Sequence, residues 1–197
     1  PPAELLALKN PYDAGARDAA QINDIHWDHA FYNGRYYVYF GIVPCLLFQL
    51  PFEALTGIQN LAYAPCMVVL GLLLLAACFG LVGQAVRRWF PRTTSAAYLL
   101  AVATVVLGGQ LYYLLVRPYI YEYAILCGAA LLMLGLWLWL SAANTPVEKR
   151  GALLVRLAFG SLFVALVAGC RPQMELFAFL AVPIFWQRYI GQKRLRS

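Results

Sequence analysis

Between residues 61 and 190 the chain is a series of apolar runs, each close to bilayer-crossing length, and the charges fall almost wholly at their ends. A hydrocarbon core of about 30 Å takes ~20 mostly apolar helical residues. Inside lipid every backbone N–H and C=O must find its partner within the protein, which leaves helices or closed barrels. Stretches 61–86, 95–116, 119–141 and 152–169 are long enough, and 174–190 is a shorter run, read as tilted or partly interfacial. No ten-residue segments of alternating polarity support a barrel. The expectation is an all-α polytopic transmembrane helical bundle of about five spans. Composition agrees: 62% hydrophobic and 12% charged residues lie far from the roughly half-apolar, quarter-charged make-up of soluble domains.

Orientation follows from the cations. Arg87, Arg88 and Arg92 follow the first run, Lys149, Arg150 and Arg156 fall between the third and fourth, and Arg188, Lys193, Arg194 and Arg196 follow the fifth. Glu148 is the only acid among them. By the positive-inside rule these segments are cytoplasmic. The opposite side then holds Lys9, Arg17, Arg35, Arg117 and Arg171 together with Glu4, Asp13, Asp18, Asp24, Asp28, Glu53, Glu122 and Glu175. The net charge of +6 is accordingly a topology signal and gives no footprint for nucleic acid.

Residues 1–60 differ in kind. Asn10-Pro11 and Asn33-Gly34 are turn signals, and the tyrosines from Tyr32 to Tyr39 suit a membrane–water interface. This segment reads as an extracytoplasmic loop with local structure, and 61–197 as the bundle. Residues 42–57 read as a short juxtamembrane helix, broken by Pro44 and Pro51, lying at the outer surface. Were it to span, every later loop would change sides. The chain opens in mid-loop without a signal peptide, so it is expected to be a piece of something longer with a span upstream.

Two matching turns carry the first candidate chemistry: Arg117-Pro118-Tyr119-Ile120-Tyr121-Glu122 and Arg171-Pro172-Gln173-Met174-Glu175. Proline is pre-organised for a helix start and glutamate in a first turn complements the helix dipole. The arginines are left over. Each either snorkels to ordinary headgroups or grips a specific phosphate with its planar fork of donors. His26-Trp27-Asp28-His29 is the second candidate. Imidazole and carboxylate suit zinc or manganese, but the spacing matches no standard zinc motif, and a plain solvated turn is the competing reading. Cys45, Cys66, Cys78, Cys127 and Cys170 read as small core thiols.

Three stretches carry a resemblance: Asn-Pro-Tyr-Asp-x3-Arg from Asn10 to Arg17, Trp-Asp-x3-Tyr-x-Gly-Arg-Tyr-Tyr-x-Tyr-Phe-Gly from Trp27 to Gly41, and Gly-Cys-Arg-Pro-Gln from Gly169 to Gln173. Together they resemble the large bacterial polytopic proteins grouped with GT-C-type membrane glycosyltransferases, relatives of the protein mannosyltransferases and lipid A aminoarabinose transferases. The resemblance implies a multi-pass protein of the bacterial plasma membrane that moves a sugar from a polyprenyl-phosphate donor to an acceptor at the outer face. It implies a loop carboxylate, Asp13 or Asp28, as general base or as a holder of a divalent metal. It also implies Arg17, His29, Arg35, Arg117, Glu122, Arg171, Gln173 and Glu175 as substrate contacts, with Arg117 and Arg171 offsetting charge on the departing lipid phosphate. In such enzymes the catalytic acid usually follows the first span, upstream of this chain, so the piece alone is expected to be inactive. The competing classes are a transporter or flippase segment and a non-catalytic lipid-binding membrane subunit. Transporters place polar groups at the midplane, whereas here the acids collect at one rim.

Overall fold

In the computed structural model, which describes residues 1–22, 29–38, 41–58 and 61–194, the chain forms two compact units, Pro1–Tyr39 and Phe40–Ser197.

The first unit is built from local turn chemistry. Helix α1 spans Ala3–Ala7 and α2 spans Ala14–Ala19. Asp13 caps α2, its carboxylate accepting from Gly15 N at 2.9 Å, and Asn10 Oδ1 accepts from Tyr12 N at 3.1 Å. Strands β1, His29–Tyr32, and β2, Arg35–Val38, pair antiparallel with Phe31 opposite Tyr36 and Tyr32 opposite Arg35. The Asn33-Gly34 loop has φ of 46° and 73°, the positive-φ geometry that matches a two-residue hairpin to strand twist. Tyr12, Phe31 and Tyr36 stack with centroids 5.7 and 5.5 Å apart. This hairpin is the one departure from helix among the described residues.

The second unit is helical throughout. A continuous helix runs over Ile42–Thr56 as α3 (Ile42–Pro44), a wide π turn (Cys45–Gln49) and α4 (Leu50–Thr56), stopped by Gly57 at φ 70°. Then come α5 (Tyr63–Trp89), α6 (Ser95–Gly108), α7 (Leu111–Val116), α8 (Ile120–Ala143), α9 (Arg150–Val167), a 3₁₀ stretch (Pro172–Leu180) and α10 (Ala181–Arg194). Three of these, α5, α8 and α9, are long and apolar enough to cross a membrane. The protein is therefore a predominantly helical one with three membrane-length helices.

Two of the expected runs differ from single spans. The stretch 95–116 is two helices, because after Gly108-Gly109 the backbone enters the left-handed region at Gln110, φ 54°, and the helical ladder restarts at Leu111. The run 174–190 is part 3₁₀ and part α, with Pro172 starting the tighter helix.

Helix α8 is the centre of the unit. Of its apolar window 67% is buried, against 39% for α5 and 17% for α9, its two main neighbours. The outward side of α5 presents Val68, Val69, Leu72 and Leu73, an apolar stripe suited to lipid. The inward contacts use missing side chains. A Cβ on Gly135 of α8 would lie 2.6 Å from Val164 Cγ2 and 2.9 Å from the Gly160 carbonyl of α9, and one on Gly160 would lie 2.7 Å from Trp139. Gly80 of α5 similarly leaves room for the Trp137 indole, 2.2 Å from where a Cβ would stand. Close backbone approach at small residues is what holds helices together where lipid removes the hydrophobic drive. Four of the five cysteines are buried among these contacts, while Cys45, expected in the core, is exposed on the π turn.

Candidate functional site

The sequence-predicted residues divide between the two units. In the first, Asp13 is exposed and engaged as the α2 cap. Arg17, on the same short helix, is half-buried, and its backbone N–H donates to Asp13 O at 3.1 Å. His29 and Arg35 lie on β1 and β2, His29 edge-on to Tyr36 at 6.2 Å, Arg35 exposed at the hairpin end opposite Tyr32. Asp28, with His26 and Trp27, lies outside the described residues. The capping bond accounts for Asp13 without any chemistry.

In the second unit the two Arg-Pro turns meet the same short segment. Helix α8 starts at Ile120 because Pro118 prevents a continuous helix through Arg117 and Tyr119 is extended, φ −104° and ψ 167°. That bend turns Arg117 back over its own neighbourhood. Its Nε lies 3.5 Å from Glu122 Oε1, its Nη1 donates to Tyr113 Oη at 2.6 Å, and its guanidinium lies over the Tyr113 and Tyr119 rings at 5.2 and 5.8 Å. Glu122 is buried, 8% exposed, in the first turn of α8, beside Arg117. Arg171 reaches the same segment from 50 residues away: its Nη2 donates to Tyr121 O at 3.5 Å and it lies 5.5 Å from the Tyr121 ring.

Beside this segment is an open groove of about 470 Å³ lined by Tyr63, Arg117, Tyr119, Ile120, Tyr121 and Glu122. Arg117 lines the groove and Arg171 does not, so the two arginines flank one turn without lining one cavity. Gln173 is exposed and Glu175 half-buried in the first turn of the 3₁₀ stretch.

A residue the sequence reading missed packs against Tyr63, one of the groove's lining residues. Tyr123, 2% exposed, donates its hydroxyl between Pro44 O and Gln49 Oε1, both at 3.0 Å, and its ring packs on Tyr63 at 5.1 Å and Phe48 at 6.2 Å. It thereby joins α8, the start of α5 and the Ile42–Thr56 helix. Val43 N donates to Gly169 O at 3.2 Å, which brings the turn before Arg171 onto the same helix. No signal in the sequence separates Tyr123 from the surrounding tyrosines.

Chemically the groove combines a half-exposed guanidinium, three tyrosines and one carboxylate. Tyrosine faces stack on sugar rings or lipid-linked groups, and an arginine fork binds phosphate oxygens in pairs. Among the described residues, which do not include His26 and Asp28, no three His, Cys, Asp or Glu side chains gather as a metal-binding group. No protein-family profile matches the chain, and neither curated proteins nor solved structures give a match.

Proposed function

We propose that this chain is part of a membrane glycosyltransferase that moves a sugar from a polyprenyl-phosphate donor to an acceptor at the outer membrane face, and that it supplies the donor-phosphate site. The observation that carries the reading is the groove at the start of α8, where Arg117 stands half-exposed among Tyr63, Tyr119 and Tyr121 at the end of a membrane-length helix. Within this reading, α6 with α7 and the Pro172–Arg194 segment complete a five-span bundle, and the first unit is extracytoplasmic. Arg117 and Arg171 bind the lipid phosphate, and the tyrosines border the sugar. The alternative of a non-catalytic lipid-binding subunit is favoured by Asp13, whose carboxylate is already committed to capping α2.

Binding of a polyprenyl-phosphate sugar to the protein in nanodiscs tests the proposal. Hydrogen bonds to charged groups are worth about 1.5–3 kcal/mol, so Arg117→Ala and Arg171→Ala are each expected to weaken binding by roughly ten- to a hundredfold. Glu122→Gln is expected to act in the opposite direction, because it removes the anion that competes with phosphate for Arg117. Equal affinity in all variants would leave the arginines as helix anchors. Sugar transfer, where it is detected, then favours the enzyme over the binding subunit.

Orientation is read by single cysteines in a background with Cys45→Ser. On intact cells an impermeant maleimide is expected to label Glu53→Cys and not Glu148→Cys, both positions being exposed. The reverse pattern would place the groove on the cytoplasmic side and end the lipid-linked donor reading.

A further inference from the structure

Three arginines from three helices close on the last turn of α8, about 30 Å along the helix from the groove. Arg156 of α9 donates through Nη1 to Ser141 O at 3.5 Å and to Thr145 Oγ1. Arg188 of α10 donates to the next carbonyl, Ala142 O, at 2.8 Å. Arg88 of α5 donates to Asn144 Oδ1 and to Ile184 O, each at 3.3 Å. All three are half-buried, and every one of these acceptors is neutral.

Helix capping explains part of the arrangement. The last carbonyls of a helix have no intrahelical donors, and together they carry about half a negative charge. Three guanidiniums bring six times that amount of positive charge. The surplus stands where the medium screens less than water, and the only acid in the segments that form this end is Glu148, exposed in the connecting turn. Such a surplus attracts an anion.

We propose that the anion is the phosphate of an anionic phospholipid, held chiefly by Arg156 and Arg188. Their acceptors are successive carbonyls at the end of one helix, so both guanidiniums hold to the same turn of α8, and Arg188 spends on Ala142 one of its five N–H donors. A lipid fits better than a free anion for two reasons. The site stands at the ends of α5, α8 and α9, the three membrane-length helices, and α9 exposes Val155, Phe159 and Leu162 at i, i+4, i+7 spacing, an apolar stripe suited to acyl chains that adjoins Arg156 through its i+3 neighbour Phe159. Basic pockets between spanning helices hold anionic headgroups in this way. The proposal is independent of the groove at the other end of α8.

The test uses the protein in phosphatidylcholine nanodiscs titrated with phosphatidylglycerol, read by retained lipid in native mass spectrometry and by melting temperature. The wild type is expected to retain phosphatidylglycerol about tenfold over phosphatidylcholine, and Arg156→Gln with Arg188→Gln to lose that preference. Arg87→Gln with Arg150→Gln removes the same charge from the same end at exposed positions and is expected to keep it. Should the first pair fail to fold, Arg156→Lys with Arg188→Lys keeps charge while removing the fork, and a severalfold weaker preference is the expected result. Equal loss in the exposed control pair, an unchanged preference in the Lys pair, or a melting rise with inorganic phosphate matching that with phosphatidylglycerol would each overturn the assignment.

Discussion

Gly135→Leu is expected to separate α8 from α9 and to lower stability by about 3 kcal/mol or more. Overpacking a filled interior usually costs ~1–3 kcal/mol because neighbouring side chains shift. Here one of the two obstructing atoms is the Gly160 carbonyl oxygen, 2.9 Å from the new Cβ, and a backbone atom moves only if the helix moves. The other obstruction, Val164 Cγ2 at 2.6 Å, is removable. A double-mutant cycle of Gly135→Ala with Val164→Ala, followed by denaturation in mixed micelles, should show positive coupling that restores part of the loss. Full restoration would mean that the helices can part slightly at no cost, and no loss in Gly135→Leu would mean that they do not cross at this pair.

The second large effect belongs to Tyr123. Deleting a buried aromatic ring costs about 3–5 kcal/mol, and Tyr123→Ala also removes the floor between Tyr63, Phe48 and the Ile42–Thr56 helix. Tyr123→Phe keeps the ring and removes the one hydroxyl that serves Pro44 O and Gln49 Oε1, a change of about 1–3 kcal/mol from acceptors left without a donor. Hydrogen exchange distinguishes the two. The Phe variant should speed exchange over 45–56 while α5 stays protected, and the Ala variant should also loosen the first turns of α5 and α8. Protection over 45–56 that is unchanged in Tyr123→Phe would assign the holding of that helix to apolar packing alone.

The long helices α5, α8 and α9 are legible in the sequence because run length and terminal charge are one-dimensional properties. The Asn33-Gly34 turn is legible as a local signal, whereas the two strands it joins are not, since the expectation is all-α. The break at Gln110 is not, although Gly108-Gly109 marks it, because continuous apolar character from 95 to 116 outweighs a dipeptide signal. At the groove, Arg117 and Glu122 are five residues apart, and their pairing follows from the turn itself. Arg171 against Tyr121, and Tyr123 against Gln49, depend on which helix faces meet across 50 and 74 residues, and periodicity cannot supply that. Likewise Arg88, Arg156 and Arg188 read in the sequence only as orientation, while in the fold they finish a helix.

The central place of α8 also gives the chain a timetable. Its partner α9 follows after a turn of six residues, 144–149, so those two helices meet as soon as both have been made. Its partner α5 is made earlier and stays incompletely covered until residues 90–119 have been synthesised and α8 returns to it. Closing that interval costs conformational entropy that grows only as the logarithm of its length. The break at Gln110 falls inside it. A chain stalled before Ile120 would present the inner side of α5, including Met67, Leu70 and Leu74, to lipid or to whatever quality-control machinery samples unpaired helices.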